Sequence, residues 1–136
     1  VGITRGTKRE HIIRAAQESI AYQSMDLVAA MEKDTGVPLR ELRVDGGASR
    51  DAFLMQFQAD MLATPVRRPV IRETTALGAA YLAGLAVGIW HDPDELRRQW
   101  RCDVSFLPHM TAEQREKNRR GWAKAVGRSL DWAREE

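Results

Sequence analysis

Hydrophobic residues recur every three or four positions in the first third of the chain. The pattern follows TKRE at 7–10, which has the form of a capping box with Thr7 as N-cap and Glu10 reaching back. It predicts an amphipathic helix of about seven turns that ends at Gly36 and Pro38. The predicted inner face comprises Ile12, Ile13, Ala16, Ile20, Leu27, Ala30 and Met31.

Two shorter strand patterns follow, separated by a second helix. ELRVDGG (41–47) predicts a short strand that ends in two glycines, and Ser49 suits the N-cap of the next helix. TPVRRPV (64–70) predicts a second strand, whose two prolines favour a strand end or an edge position. The helix between them is predicted to pack through Phe53, Leu54, Phe57, Met61 and Leu62.

An alanine- and glycine-rich segment predicts a third helix that begins at Thr74 or Thr75 and ends at Gly88. Its small residues favour close approach to a neighbouring backbone. They would also suit a membrane or oligomer face, but we expect packing within the domain core. HDPDEL then predicts a fourth helix, with Asp92 as N-cap and Pro93 at the first helical position.

The chain closes with an extended segment and a final helix. CDVSFLP (102–108) is predicted to be extended, and TAEQ (111–114) has the form of a second capping box. The inner face of the last helix is predicted to carry Trp122, Val126 and Leu130. The element order is α-β-α-β-α-α-(extended)-α, a helix-rich α/β pattern in which two strands alone make a poor sheet. Because the sequence starts at Val1 without methionine, we expect part of a longer α/β domain whose upstream strands are missing.

The charged residues do not indicate a nucleic-acid surface. They make up 29% of the 136 residues, and the formal net charge is +2. Adjacent arginines occur as separate pairs at 67–68, 97–98 and 119–120, which is typical of solvated surface positions. We therefore expect no nucleic-acid partner.

Cysteine content and apolar run length bear on the compartment. Cys102 is the single cysteine, which excludes an internal disulfide and indicates a reducing environment. The longest apolar run, 76–90, is shorter than a membrane span and is interrupted by glycines. We expect a cytoplasmic protein with no membrane partner.

Other reactive side chains have simple structural interpretations. His91 and His109 lack acidic or cysteine companions at ligand spacing, so no zinc site is predicted, and His11 could act as a general base but is interpreted as a surface or core histidine of the first helix. Asp45 and Glu73 could form a catalytic carboxylate pair, but they also suit a turn former and a first-turn helix residue. The tryptophans are interpreted as core or boundary residues: Trp90, Trp100, Trp122 and Trp132.

The stretch VDGGASRDAF (44–53) is the strongest candidate for a binding site. Two glycines between a strand and a helix allow a ligand to approach the main chain, and the helix start offers unpaired N–H groups. Taken alone, such a turn is also common as a simple connection between a strand and a helix. It is neither a P-loop nor a dinucleotide-binding fingerprint.

Three longer segments carry a family resemblance: HIIRAAQESIAYQ (11–23), RVDGGASRDAFLMQFQADML (43–62) and RPVIRETTALGAAYLAGLAVGIW (68–90). Together they resemble the C-terminal part of the FGGY carbohydrate kinase family. The similarity extends from residues 2–3 to RGWAKAV (120–126). The sequence of these segments is more similar to that of the glycerol-phosphorylating members than to that of the pentulose kinases.

The resemblance implies part of an actin-like, ribonuclease H-like ATPase fold, in which residues 1–136 form the C-terminal part of the second domain. It implies ATP, Mg²⁺ and glycerol as reactants of the complete enzyme, with glycerol bound by upstream residues and ADP released. It places no catalytic residue in this chain, because the proton-abstracting aspartate and the phosphate-binding hairpins of the family lie upstream. We therefore expect the isolated chain to have no kinase activity.

The resemblance also assigns a nucleotide-binding turn. Gly47 corresponds to a direct contact with the adenosine part of ATP, while Gly46 and Ala48 shape the turn. The family usually has asparagine as a second contact where this chain has Asp51. An ionised Asp51 only accepts hydrogen bonds, whereas asparagine also donates them.

Two alternatives to a glycerol-phosphorylating member of this family remain open. The chain could serve as a non-catalytic nucleotide-binding or assembly domain, or belong to a kinase of pentuloses or other polyols. Missing strands would leave apolar surface exposed, and we expect self-association and a homo-oligomer.

Overall fold

The computed structural model describes residues 1–131, and the predicted role of Trp132 lies outside them. The described elements follow the predicted order, with one added turn of 3₁₀-helix before the second helix. They are α1 (Arg9–Thr35), β1 (Leu42–Arg43), the 3₁₀ turn (Gly47–Arg50), α2 (Ala52–Leu62), β2 (Val66–Pro69), α3 (Thr74–Ala86), α4 (Pro93–Gln99), β3 (Cys102–Phe106) and α5 (Ala112–Ser129).

The three strands form one sheet in the order β1-β2-β3. β1 runs parallel to β2, with Leu42 opposite Val66, and β2 runs antiparallel to β3, with Val66 opposite Phe106. The predicted edge position of β2 is therefore wrong, because the extended segment at 102–106 pairs as a third strand. The alternative, that prolines mark strand ends, is confirmed: Pro65 precedes β2 and Pro69 is its last residue.

α2 supplies most of the hydrophobic core. It lies between α1 and the sheet, so its side chains are enclosed from two sides. The buried apolar residues are Ala21, Leu54, Met55, Phe57, Ala59, Met61 and Val66. Burial of apolar area on this scale is the dominant stabilising term in a small domain.

The ends of α1 agree with prediction at the C-terminus and differ at the N-terminus. Gly36 adopts φ +68° and its N–H donates to the carbonyl of Glu32 at 2.8 Å, which confirms the predicted stop. The predicted cap Thr7 is wrong, because the N-cap is Lys8. The N–H of Lys8 donates to Nδ1 of His11 at 3.0 Å, so the histidine, and not Glu10, reaches back.

The predicted inner face of α1 does not face the core. Ile12 and Leu27 are 58% and 62% exposed, whereas Ala21 is fully buried. Tyr22 and Met25 pack with Ala21 against the core. α1 carries apolar residues on two of its sides. The side that contacts α2 has fewer of them, so the hydrophobic periodicity indicated the other side as the inner face.

α3 begins at Thr74 and is terminated by Gly88, as predicted. Gly88 adopts φ +79°, its N–H donates to Leu85 O, and the N–H of Ile89 donates to Gly84 O. This Schellman motif folds Trp90 back against Gly84. The expected core packing is wrong for the described residues, since Gly84 is the one buried residue of α3 among them.

The last two helices begin at their predicted caps. Asp92 Oδ1 accepts from the N–H of Glu95 at 2.9 Å, and Thr111 Oγ1 accepts from the N–H of Gln114 at 3.2 Å.

α5 packs on α1 through Trp122, which stacks on Tyr22 and donates from Nε1 to Asp26 Oδ2 at 2.7 Å. Val126 and Leu130 are 37% and 66% exposed, so the predicted inner face of α5 is correct only at Trp122. Among residues 1–131, no helix combines the length and the apolar character that a membrane span requires.

Candidate functional site

The glycine turn lies where the parallel strands end. The N–H of Val44 donates to Arg67 O at 3.0 Å and extends the pairing one residue beyond β1. The N–H of Gly46 then donates to Arg72 O at 2.9 Å, which holds the turn against the segment that follows β2. Ligands of open α/β sheets bind at this end of the strands.

The two glycines have different structural roles. Gly46 adopts φ +73° and ψ −174°, a backbone region that only glycine enters without strain. Gly47 has no such requirement, and a Cβ placed there would meet no atom of residues 1–131 within 4 Å. Open space on Gly47 leaves room for a ligand to approach the main chain closely.

Residues 47–50 form the 3₁₀ turn, which changes the predicted helix start. Ser49 is buried, and its Oγ donates to the carbonyl of Gly46 at 2.7 Å, so it is not the N-cap of α2. That position belongs to Asp51, whose Oδ1 accepts from the N–H of Leu54 at 3.1 Å. The extra turn places Asp51 two residues beyond the predicted cap.

Both carboxylate oxygens of Asp51 already accept hydrogen bonds. Oδ1 caps α2, and Oδ2 accepts from Nε2 of Gln17 on α1. Asp51 therefore joins the glycine turn to two helices. Each oxygen keeps a second lone pair for a further donor.

The outer side of the turn offers main-chain donors. Gly47 and Ala48 are exposed, and in the described part of the chain neither N–H donates to an acceptor. They are the first residues of a helical turn, where no intrahelical acceptor exists. The turn can thus receive a group that carries hydrogen-bond acceptors.

The other candidates are not brought together. No hydrogen bond or ion pair joins Asp45 to Glu73, and Glu73 stands at the N-cap position of α3 without a side-chain cap bond. Within residues 1–131, no three His, Cys, Asp or Glu side chains lie close enough to hold a metal ion.

Sequence reasoning missed Arg68, because the arginine pair was interpreted as solvated surface. That is correct for Arg67, whose side chain is 44% exposed, and wrong for Arg68 at 13%. Nη1 of Arg68 donates to the carbonyl of Ser49 at 3.1 Å. Arg67 also lies between the buried residues Val66 and Pro69, so no local signal separates the two arginines.

Solved structures share this fold. Plasmodium falciparum glycerol kinase with ADP superposes with a TM-score of 0.84 at 39% identity, over 96% of this chain and 26% of that one. The xylulose kinase of Rhodospirillum rubrum gives a TM-score of 0.75 at 23% identity, which supports the fold alone. The predicted fold class, part of an actin-like ATPase domain, is confirmed.

Residues 1–87 match the family model of the C-terminal domain of the FGGY family of carbohydrate kinases. The chain therefore belongs to the FGGY family of carbohydrate kinases.

Its relatives include glycerol kinases from Caldanaerobacter subterraneus subsp. tengcongensis, 61% identical over 99% of this chain, and Desulforamulus reducens, 59% identical over all of it. The chain spans 27% of the length of each.

Proposed function

We propose that this chain is the C-terminal part of the second domain of an ATP-dependent glycerol kinase. The complete enzyme transfers the γ-phosphoryl group of Mg-ATP to glycerol, giving sn-glycerol 3-phosphate and ADP. The observation that carries this proposal is about 60% identity to glycerol kinases along the whole chain, as with the 61% and 59% cited above. The pentulose kinase interpretation has weaker support, because its structural neighbours are only 21–23% identical to this chain.

We propose that the chain contributes the nucleotide-binding turn. Gly47 contacts the adenosine part of the nucleotide, and Gly46 and Ala48 shape the backbone that receives it. The open space over Gly47 and the two unpaired N–H groups support this role.

Asp51 is proposed to contact the nucleotide through a free lone pair while it caps α2. Its bonds to Leu54 and Gln17 fix its position beside the turn. Because it only accepts, the group that it meets is a donor, such as the exocyclic amine of the base.

Mg²⁺ is proposed to bind with the phosphates of ATP in the complete enzyme. Mg²⁺ prefers carboxylate and phosphate oxygens, and no acidic cluster within residues 1–131 gathers such ligands. The chain is proposed to have no catalytic residue, so that nucleotide positioning is its whole contribution. Phosphoryl transfer depends chiefly on positioning and charge neutralisation, and the isolated chain should therefore not turn over ATP.

The test is Gly47→Ala in the complete kinase, with ADP affinity measured by calorimetry and glycerol-dependent ADP release measured by a coupled assay. Among residues 1–131 the added methyl group meets no atom within 4 Å, so weaker ADP binding at unchanged stability would support a nucleotide contact at Gly47. Gly78→Ala is the matched control, because a Cβ there also meets nothing within 4 Å.

Equal ADP affinity of Gly47→Ala and wild type would contradict the assigned turn. Phosphorylation of xylulose but not glycerol by the unmutated kinase would favour the pentulose alternative. ADP binding without any phosphoryl transfer would favour the non-catalytic one.

The glycerol kinase is also proposed to work as a homo-oligomer in the cytoplasm. Exposed apolar side chains such as Ile12, Leu27 and Leu82 support an association surface. Sedimentation of the complete kinase at several concentrations tests this, and a monomer throughout would contradict it.

A further inference from the structure

One carboxylate holds two arginines that reach the glycine turn. Oδ2 of Asp103 lies 2.8 Å from Nη2 of Arg68 and 3.5 Å from Nη2 of Arg72. Arg68 donates through its side chain to Ser49 O, and Arg72 accepts through its carbonyl from the N–H of Gly46. The two ends of the turn are therefore attached to the same charged cluster.

An irregularity in β3 produces this contact. Val104 pairs with Arg68 and Cys102 pairs with Pro69, so Asp103 between them has no partner on β2. In a regular strand, Asp103 would point to the face opposite Val104 and thus away from Arg68. The bulge turns its carboxylate toward the guanidinium, and Pro69 tolerates the break because it has no N–H to pair.

Arg68 is held from several sides. Its side chain is 13% exposed, Nε and Nη2 both donate to Asp103 Oδ2, and the guanidinium lies 5.9 Å from the centre of the Phe106 ring. Hydrogen bonds of an ionised pair are stronger than neutral ones, more so away from water. Nη1 is left to donate to Ser49 O in a fixed direction.

The direction of the main-chain N–H groups of Gly47 and Ala48 depends on how the adjacent residues are held. Gly47 and Ala48 have no hydrogen-bond acceptor of their own within residues 1–131, and they lie between Gly46 and Ser49, which do. We propose that Arg68, held by Asp103, is a positioning residue that fixes the nucleotide-binding turn before the nucleotide arrives. This inference rests on the proposed nucleotide site.

The test is Arg68→Ala in the complete kinase. The expected result is an ADP Kd and an ATP KM raised about tenfold, the scale of one charge-assisted hydrogen bond, with the glycerol KM unchanged. Hydrogen exchange of residues 46–51 without nucleotide should become faster, because the turn loses an anchor. Arg67→Ala is the matched control: the neighbouring arginine pairs with Glu41 and does not reach the turn.

A second variant keeps the inference testable if Arg68→Ala does not fold. Arg68→Lys retains one positive charge but cannot donate to Asp103 and Ser49 in the same fork, so an intermediate loss of ADP affinity is expected. Wild-type ADP affinity in Arg68→Lys or Arg68→Ala would overturn the inference, as would an equal loss in Arg67→Ala. Faster exchange at 46–51 with unchanged ADP affinity would overturn it as well.

Failure of the proposed nucleotide site gives a different result. In that case Gly47→Ala keeps wild-type ADP affinity together with Arg68→Ala, whereas the positioning role alone fails when Gly47→Ala weakens ADP binding and Arg68→Ala does not.

Discussion

α2 and α3 are both predominantly apolar helices, but they differ almost completely in burial. Each follows a strand of the sheet, and they have 11 and 13 residues. Leu54 on α2 is 3% exposed, whereas Leu82 on α3 is 70% exposed. Apolar composition predicted both helices, but it is the surrounding elements that decide which of them enters the core.

The two helices also differ at their N-termini. Asp51 caps α2 and is itself bound by Gln17, so the start of α2 is fixed to α1. Glu73 occupies the same position on α3 without a side-chain cap bond. Capping and packing therefore act together on α2, and both are weak on α3.

The largest expected effect separates the two leucines. Leu54→Ala should lower the free energy of unfolding by about 2–5 kcal/mol, because it leaves a cavity in the core. Leu82→Ala should change it by less than about 0.5 kcal/mol. Urea denaturation of the purified protein measures both, and equal losses would show that α3 is as well packed in solution as α2.

The two glycines of α3 test where that helix is in contact. A Cβ at Gly84 would lie 2.1 Å from the ring of Trp90, so Gly84→Ala should destabilise by about 1–3 kcal/mol or displace the indole. Gly78→Ala meets nothing within 4 Å and should stabilise by about 0.5–1 kcal/mol through helix propensity. Thermal unfolding with tryptophan fluorescence distinguishes them, and a neutral Gly84→Ala would contradict the close contact between Gly84 and Trp90.

The caps provide a smaller comparison. Asp51→Ala should lower the free energy of unfolding by about 1 kcal/mol, whereas Glu73→Ala should have little effect. Asp51→Asn keeps a good N-cap and should recover most of the loss. Chemical denaturation tests all three, and an equal loss at Glu73 would contradict the difference in capping.

The smallest effect concerns Tyr22, whose ring meets Phe57 of α2 edge-on at 5.4 Å between centroids. Burial, then the negative charge of Glu18, raises the pKa of Tyr22 above its ordinary value of 10.0. The neutral Tyr22 phenol therefore contributes its full stabilisation below pH 10.0, and this contribution is lost as the pH rises through the pKa of Tyr22 in the folded protein.

Titration of phenolate absorbance in wild type and Tyr22→Phe measures the shift. Ionisation of Tyr22 at or below the ordinary value would contradict its burial.

The sequence predicted the helices and most of their ends, because capping and glycine signals are local. Gly36, Gly88 and Asp92 act where expected. The predicted start of α2 was two residues too early. Gly46 adopts a conformation open only to glycine, and Ser49 Oγ donates to the Gly46 carbonyl instead of capping α2. The local sequence pattern does not specify the backbone angles of Gly46.

Features that depend on distant residues could not be predicted. The apolar side of α1 with the longer run is exposed, since its contact with α2 is set by tertiary packing at Ala21. Likewise, the burial of Arg68 depends on a bulge in β3, 35 positions further along. The nucleotide-binding role of the glycine turn was predicted from a family resemblance. No sequence pattern indicated that Asp103 would pair with Arg68.

The contact between Trp122 and Asp26 has a consequence for biosynthesis. The two residues are 96 positions apart, and the stack of Trp122 on Tyr22 joins the same helices. At a translation rate of about 5–20 residues per second, α1 leaves the ribosome roughly 5–20 s before its partner on α5 exists. Throughout that interval the face of α1 around Tyr22 lacks Trp122, so the nascent chain presents to chaperones an aromatic surface that the finished fold covers.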